Sequence, residues 1–175
     1  MTRRIYPHLR EWDSRLFRWC NRTIRHSALD RLFGWFTHLG GALFTISFVL
    51  AFVLFASEPW RSVGWKSLVS LTISHLVAVI IKRKVDRVRP YMAMREVITG
   101  PKPLKDPSFP SGHTTAAFSV FVPFALASAW LSLLVIPLAA TVGMSRMYLG
   151  LHYPSDCIAG CFIGTFVSIL AVSVI

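Results

Sequence analysis

The sequence predicts an all-α integral membrane protein, a helical bundle of about five transmembrane helices with an amphipathic helix at its N-terminus. Two observations lead to this fold class. The chain is 54% hydrophobic and only 15% charged, whereas soluble domains carry about 25% charged residues. It also contains several charge-free runs, and about 20 apolar residues suffice to cross a bilayer. A length of 175 residues predicts a single domain, with 1–31 as a surface segment and 32–175 as the transmembrane core.

The charge and cysteine content narrow the class of partner. The formal net charge is +11, which in a soluble protein indicates nucleic acid. In a chain with these apolar runs we expect the membrane bilayer and a phosphorylated lipid instead, and no nucleic acid. The three cysteines are odd in number, so we expect no disulfide framework. Cys157 and Cys161 are four residues apart, a spacing that could bind a metal ion from one helix. No further Cys or His stands beside them, so apolar packing is the better interpretation.

The first 31 residues mix arginine with large apolar side chains. Apolar residues recur here at intervals of three or four, at Trp12, at Leu16, at Trp19 and Cys20, and at Ile24. This periodicity predicts an amphipathic helix with a basic face, suited to the surface of a membrane. Packing of the same helix on the rest of the protein is the alternative, and the two are compatible.

The charge-free runs give the transmembrane spans in order. The run from Pro107 to Ser145 is 39 residues long, about right for two spans with a turn near Ser128 to Ser132. The last span contains Gly160 and Gly164, a spacing that lets helices approach closely. A polar, basic and proline-rich stretch over 82–110 is predicted to be a loop. The other predicted spans are Leu32 to Ser57, Val63 to Ile81 and Cys157 to Ile175.

This order of spans brings three polar clusters to one face of the membrane. If the second span ends near Lys82, the following loop stays on that face and the next two spans leave and return to it. The clusters that meet there are Lys82 with Arg89, Ser111 with His113, and Arg146 with His152 and Asp156. A change of one in the number of spans would separate them, so this convergence is the first indication of function.

Three of these residues are cations, Lys82, Arg89 and Arg146. Like charges close together at a bilayer edge repel unless an anion joins them. Phosphate suits such a set, because arginine offers a planar fork of donors and lysine a point charge. The cluster therefore predicts a phosphate-binding site.

The segment PSGH at 110–113 opens an apolar run and predicts the start of a helix. Ser111 can cap that helix, and Gly112 allows an oxyanion to approach the backbone, where the free N–H groups favour negative charge. Taken alone, Ser111 is best interpreted as a simple N-cap.

The pair His152 and Asp156 supplies the remaining chemistry. A carboxylate four residues after a histidine can hold one ring nitrogen and leave the other free as a nucleophile. Pro154 is predicted to begin the last helix, with Asp156 in its first turn. The other histidines have no comparable partners in the sequence: His8, His26, His38 and His75.

These three segments resemble the signature of the type 2 phosphatidic acid phosphatases, a family related to the vanadium haloperoxidases. The first family pattern is Lys, six residues and Arg-Pro, here KRKVDRVRP; the second is PSGH; the third is Ser-Arg, five residues, His, three residues and Asp, here SRMYLGLHYPSD. All three match without substitution and in order. The matching positions are Lys82, Arg89, Pro90, Ser111, Gly112, His113, Ser145, Arg146, His152 and Asp156.

The resemblance implies a role for each position. His152 would attack phosphorus and form a phosphohistidine, Asp156 would orient it, and His113 would protonate the leaving oxygen. No metal and no cofactor would be required. The residues expected to hold the phosphate are Lys82, Arg89, Ser111, Gly112 and Arg146.

The resemblance is incomplete in two respects. Many relatives have six spans, with a full helix where this chain has the arginine-rich segment 1–31. The charge distribution also favours the cytoplasm for the face that carries the site, since 17 of the 19 Lys and Arg residues lie there. Bacterial relatives commonly act on the outer face, so both placements stay open.

The activity expected from these residues is that of a membrane lipid phosphatase. Its substrate would be a phosphomonoester or pyrophosphate such as phosphatidylglycerol phosphate, phosphatidic acid or a polyprenyl pyrophosphate. A lipid phosphotransferase would use the same residues, and a vanadate-dependent peroxidase would use the same pocket. A non-catalytic membrane anchor would leave the cation, His and Asp set unexplained. The sequence predicts neither the headgroup nor the oligomeric state.

Overall fold

Apolar helix-forming runs separated by short polar connections give an entirely helical structure in the part of the chain that is described. The structure is a computed structural model and describes residues 5–99 and 104–175. Residues 1–4 of the surface segment and 100–103 of the basic loop lie outside this part. The helices are α1 (Ile5–Arg18), α2 (Ser27–Phe36), α3 (Ala42–Phe55), α4 (Trp60–Val85), α5 (Pro90–Ala93), α6 (Gly112–Ala127), α7 (Ala129–Tyr148) and α8 (Pro154–Val174).

Helix α6 lies at the centre of the bundle, where it packs against α4, α7 and α8. Every residue from Ala117 to Phe124 is buried. A helix that is apolar around its whole circumference is stable only when neighbours cover it on all sides. The core around it contains Val49 and Val53 of α3 together with Ala139 and Val142 of α7. This central helix therefore fixes where the others stand.

Two glycines of α8 set its distance from α6. A Cβ atom at Gly164 would stand 2.6 Å from the carbonyl oxygen of Thr115, and one at Gly160 would stand 2.8 Å from that of Ser111. Small residues at this spacing let two helix backbones come together. The close approach predicted for this pair of glycines is confirmed, and its partner is the start of α6.

Serine hydroxyl groups connect the same helices inside the apolar bundle. Ser74 of α4 and Ser119 of α6 share a hydrogen bond of 2.5 Å. Ser67 donates to the carbonyl oxygen of Val120, and Ser168 of α8 donates to that of Ser119. Hydrogen bonds between membrane helices contribute about 0.6 kcal/mol each on average, so they add specificity to packing that is mainly apolar.

Three of the predicted spans correspond to long helices, although α4 continues to Val85, into the segment predicted to be a loop; the first span and the one at α6 differ from the prediction. Within the described residues, the helices that begin at Trp60, Ala129 and Pro154 are long and apolar enough to cross a membrane. The first predicted crossing, Leu32 to Ser57, is not a single helix: α2 and a 3-10 turn at Thr37–Gly40 meet α3 at an angle of 54°. The break falls at Gly41, whose extended backbone ends the 3-10 turn and begins α3.

Helix α6 is shorter than the span predicted for it. It has 16 residues, because Ser111 caps one end and Ser128 ends the other. Ser128 alone separates α6 from α7, so the turn predicted near Ser128 to Ser132 is confirmed at its first residue. A count of five spans rests on α6 and on the bent pair as well as on the three long helices.

The N-terminal helix both packs on the protein and presents an apolar side outward. Phe17 of α1 is buried, and its ring lies 5.7 Å from that of Tyr153 at the start of α8. Leu9, Trp12 and Leu16 of the same helix are exposed. The packing of this helix on the protein is confirmed. Exposed apolar residues on a helix with several arginines are typical of a helix at a membrane surface, so the exposed side is compatible with the other interpretation.

We expect Gly164→Ala to lower the unfolding temperature of the detergent-solubilised protein. The added methyl group would press on the Thr115 carbonyl and on Phe118, and overpacking of this kind costs about 1–3 kcal/mol. Differential scanning calorimetry measures the change. Gly34→Ala in α2 is the control, because no atom from another part of the described chain lies within 4 Å of its Cβ position. Equal unfolding temperatures for the Gly164 variant and the wild type would contradict the close approach.

Candidate active site

The three polar clusters meet at one end of the bundle, where α4 ends and α6 and α8 begin. Nη1 of Arg89 lies 3.1 Å from Nε2 of His152. The backbone N–H of Ser111 donates to the carbonyl oxygen of Asp156 at 3.0 Å. The N-terminal ends of α6 and α8 are therefore side by side, with the loop after α4 across them.

Arg89 is almost completely buried, with 1% of its surface exposed. Its Nε donates to the carbonyl oxygen of Asp106 at 2.7 Å, and its Nη1 donates to that of Leu151 at 2.8 Å. Its Nη2 donates to the carboxylate of Asp106 at 2.9 Å. These bonds hold the guanidinium plane in one orientation, which leaves its Nη1 edge facing His152.

Lys82 reaches the same carboxylate from the last turns of α4. Its Nζ forms an ion pair with Asp106 and donates to the carbonyl oxygen of Pro107 at 3.0 Å. Burial would raise the pKa of Asp106, but the hydrogen bond from Lys82 and the charge of Arg89 outweigh it and lower the pKa. Asp106 is thus an anion held between two of the predicted phosphate ligands, and sequence analysis did not single it out.

His152 and Asp156 lie within reach of each other, as their spacing predicts. Nδ1 of His152 is 3.6 Å from Oδ2 of Asp156, which is longer than a hydrogen bond. That Oδ2 already accepts from the backbone N–H of Tyr153 at 2.8 Å and from the hydroxyl group of Ser108. Nδ1 has no hydrogen-bond partner among the described residues.

A left-handed glycine brings His152 into this position. Gly150, with φ +78°, follows the end of α7, and a Cβ there would stand 2.6 Å from the carbonyl oxygen of Ile98. The backbone N–H groups of Leu151 and His152 both donate to the carbonyl oxygen of Arg146. The chain therefore turns back over the end of α7, and Arg146 and His152 point into the same region.

Arg146 is buried in the last turn of α7. Its Nη1 donates to the hydroxyl group of Thr37 at 2.6 Å. Its Nε is buried and has no hydrogen-bond partner among the described residues. A buried guanidinium donor without an acceptor is costly, so this atom suits an anion bound in the site.

Ser111 is the N-cap of α6, as predicted. Its hydroxyl group accepts from the backbone N–H and the hydroxyl group of Thr114. No atom from another part of the described chain lies within 4 Å of a Cβ position at Gly112, so space is open beside it. His113 follows on the first turn, and the 3-10 turn after α2 packs against it, since a Cβ at Gly40 would stand 2.6 Å from its carbonyl oxygen.

The environment keeps His152 neutral near pH 7. His152 lies in the connection between α7 and α8, outside the apolar spans. Burial lowers its pKa to about 4; the Asp156 carboxylate opposes this shift, and the charges of Arg146 and Arg89 add to it. A neutral imidazole keeps a lone pair on its unprotonated ring nitrogen, so the neutral form is the one that acts as a nucleophile.

All eight residues predicted for the site lie in this region. Several neighbours of those residues were missed, because they carry no motif of their own. Asp106 and Ser108 lie just before PSGH, and this position in the sequence was the one indication that they belong to the site. Thr37 lies 109 residues from Arg146 in the chain, and no local pattern could have indicated it. Among the described residues, no group of three His, Cys, Asp or Glu side chains is arranged to hold a metal ion.

Comparison with known proteins gives one matching family. A family model described as the PAP2 superfamily matches residues 63–175, which is more than half of the chain. An undecaprenyl-diphosphatase from Sulfolobus acidocaldarius is 33% identical over 116 residues, 65% of this chain and 56% of that protein. A lipid A 1-phosphatase from Rhizobium johnstonii is 36% identical over 107 residues, 58% of this chain and 43% of that protein. The chain thus spans about half the length of these relatives.

Two solved structures share the fold. The crystal structure of Aquifex aeolicus LpxE has a TM-score of 0.82 and 24% identity, covering 91% of this chain and 93% of that one. A transmembrane PAP2 type phosphatidylglycerolphosphate phosphatase from Bacillus subtilis has a TM-score of 0.80 and 23% identity, covering 95% and 85%. At these identities the likeness concerns the fold alone, and that fold is a bundle of transmembrane helices. The chain is a multi-pass membrane protein.

Acid should destabilise the wild-type protein more than a His152→Gln variant. The folded-state pKa of His152 is about 4, below the ordinary value of 6.5. Between these values the unfolded chain binds the proton and the folded one does not, so stability falls as pH falls from 6.5 toward 4. At pH 5 this amounts to about 2 kcal/mol. Unfolding temperatures of both proteins at pH 7 and pH 5 measure the difference, and parallel changes would contradict a buried neutral imidazole.

Asp106→Asn should bind inorganic phosphate about tenfold more tightly than the wild type, because it removes the carboxylate that competes for Lys82 and Arg89. Isothermal titration calorimetry measures the affinity. Glu96→Gln is the matched control, since Glu96 pairs with Arg22 on the surface instead. Weaker binding by the Asp106 variant would mean that the carboxylate is needed to hold the two cations in place.

Proposed function

The chain belongs to the PAP2 superfamily, and from that membership and the site geometry we propose that it is a membrane lipid phosphatase. In this proposal it cleaves a phosphomonoester or pyrophosphate of a lipid through a phosphohistidine, without a metal ion. The observation that carries the proposal is the contact of 3.1 Å between Nε2 of His152 and Arg89, beside the buried Arg146. A nucleophile and the cations for its target thus share one polar site at the end of an apolar bundle.

The first step forms a bond between Nε2 of His152 and phosphorus and breaks the bond from phosphorus to the lipid oxygen or bridging oxygen. This step needs the lone pair on Nε2 and therefore the proton on Nδ1. Asp156 is the acceptor for that proton, and the distance of 3.6 Å has to shorten by about 0.6 Å to make a hydrogen bond. Charge on the ring rises as the bond forms, which strengthens its attraction to the carboxylate.

His113 is the proposed acid for the leaving oxygen. It lies on the first turn of α6, two residues after the cap residue Ser111. In the second step a water molecule attacks phosphorus, His113 takes a proton from it, and the bond to His152 breaks to release inorganic phosphate. Microscopic reversibility requires the same group to act as acid and then as base.

The cations stabilise the negative charge of the five-coordinate transition state. Arg89 already lies at the nucleophile, and the Nε of Arg146, which has no hydrogen-bond partner among the described residues, is free for a phosphate oxygen. Lys82 stands behind Arg89 through their shared contact with Asp106. Donors fixed in advance lower the barrier more than donors that have to reorganise. The backbone at Ser111 and Gly112 completes the proposed set of phosphate ligands.

A lipid is the proposed substrate class because the site lies where apolar helices end. A lipid can keep its tail beside these helices while its phosphate enters the polar cluster. The names of the relatives support this class, since they include an undecaprenyl-diphosphatase and a phosphatidylglycerophosphatase B from Bacillus subtilis. The latter is 28% identical over 158 residues, which are 81% of this chain and 72% of that protein. Phosphatidylglycerol phosphate, phosphatidic acid and polyprenyl pyrophosphate are the candidate substrates.

We expect the purified protein to release phosphate from at least one member of a panel of these three lipids, and His152→Ala to abolish that release. EDTA should leave the rate unchanged, whereas vanadate should inhibit, because it mimics five-coordinate phosphorus. Colorimetric detection of free phosphate measures the activity. Transfer of labelled phosphate to an added alcohol without free phosphate would indicate a lipid phosphotransferase instead.

His75→Ala is the control for this experiment, because His75 is exposed on α4, away from the site. It should keep wild-type activity. Full turnover by the His152 variant would exclude the phosphohistidine mechanism, and inactivity of the wild type toward the whole panel would exclude the proposed substrate class.

A further inference from the structure

We propose that Asp13 and Arg87 are positioning residues for the reaction, so that the N-terminal helix α1 acts on the site through the carboxylate of Asp156. This inference rests on the proposed function. Neither residue belongs to the matching motifs, and Arg87 occupies one of the six unspecified positions between Lys82 and Arg89. Both nevertheless connect directly to the carboxylate that faces the nucleophile.

Arg87 lies between two buried carboxylates. Its Nη1 donates to Oδ1 of Asp156 at 2.7 Å, and its Nη2 donates to Oδ2 of Asp13 at 2.6 Å. The side chains of Asp156 and Asp13 are 0% and 6% exposed, and that of Arg87 is 25% exposed. Such well-aligned contacts between charged groups are short, strong and directional. Asp13 thus holds the guanidinium of Arg87 in place, and Arg87 in turn holds the carboxylate of Asp156.

The arrangement determines which oxygen of Asp156 faces His152. Arg87 occupies Oδ1, whereas Oδ2 accepts from Tyr153 and Ser108 and lies 3.6 Å from Nδ1 of the imidazole. Both oxygens are therefore held, and the carboxylate cannot rotate about its terminal bond. Without Arg87 one oxygen loses its charged partner, and the plane of the group is free to turn away from Nδ1.

The start of α8 is tied into the same network. Asp13 accepts from the backbone N–H of Ser155 at 2.8 Å and from its hydroxyl group at 2.5 Å. The guanidinium of Arg87 also lies over the ring of Tyr153, 4.0 Å from its centroid. Asp13 therefore serves the first turn of α8 as a cap supplied from another helix. A test of the proposal has to separate this capping from an effect on Asp156.

Burial of Asp13 is a further indication of a specific role. Its helix is otherwise rich in arginine and large apolar residues, and Phe17 already packs against Tyr153. An apolar residue at position 13 would dock the helix without removing a charge from water, since buried ion pairs often stabilise no more than apolar packing does. What the carboxylate adds is orientation, first of Arg87 and through it of Asp156.

The test is a set of double-mutant cycles on the full chain in detergent. Asp13→Asn should lower kcat for lipid phosphate about tenfold and Arg87→Met about 100-fold, both with KM nearly unchanged, because a displaced catalytic group costs factors of this size. Arg87→Lys should recover part of the loss. In an Asp156→Asn background the Asp13→Asn change should have almost no further effect, because its route to His152 is already broken.

The control is Asp30→Asn, which removes a carboxylate from the same N-terminal region. Asp30 pairs with Arg25 and accepts from Tyr148, so its loss should leave kcat unchanged. If Asp13→Asn lowers kcat by the same factor in the wild-type and Asp156→Asn backgrounds, Asp13 acts only by capping α8 and the proposal is wrong. Ser155→Ala removes the hydroxyl contacts of Ser155 with Asp13 and Arg87 but leaves the bonds from Arg87 to Asp156 and Asp13, and it should retain most of the activity.

The affinity of the same variants for orthovanadate is a second measurement, and it does not require catalytic turnover. Vanadate should bind about tenfold more weakly to Asp13→Asn than to the wild type, and equally to the Asp156→Asn protein with and without that change. If the wild type hydrolyses no lipid but this coupling is present, the proposed function fails and the positioning role stands. If vanadate affinity is unchanged in Asp13→Asn, the positioning role is excluded whatever the activity.

Discussion

The buried guanidinium of Arg89 connects the parts of the site, since it contacts the connection before α8 and the loop before α6 at the same time. It donates to Leu151, faces His152 and holds the Asp106 carboxylate. Burial of a cation is costly by several kcal/mol unless acceptors and a counter-charge surround it. These requirements keep the loop and the connection together before any phosphate binds, so the proposed nucleophile His152 and its neighbouring cations are organised in advance.

The packing of the apolar helices determines the geometry of the polar site. Gly160 and Gly164 let α8 lie against α6, and the same contact places the carbonyl oxygen of Asp156 on the backbone N–H of Ser111. The starts of the two helices therefore lie side by side. Asp13 takes the backbone N–H of Ser155 at the start of α8, so the start of α6 is the helix end that favours an anion there. Small residues within the span thus determine the geometry of residues at its end.

Charge is balanced within the site by carboxylates that the family motifs do not contain. Asp106 lies between Lys82 and Arg89, and Asp13 lies on Arg87. Each carboxylate reduces the repulsion among cations that would otherwise be severe at the edge of a bilayer. Because Asp13 belongs to α1, the arginine-rich segment at the start of the chain supplies part of this balance as well as an apolar side suited to a membrane surface.

The sequence by itself determined the helical membrane fold and the set of motif residues, because charge-free runs and motif spacing are local features of the chain. It also placed Ser111 as a cap and Ser128 at a turn. It did not indicate the break at Gly41, which lies inside one apolar run. Only the tertiary structure decided that Thr37 bonds Arg146 and that Asp13 reaches Arg87. Such contacts join residues far apart in the chain, and they depend on how closely the helices pack, which no local pattern specifies.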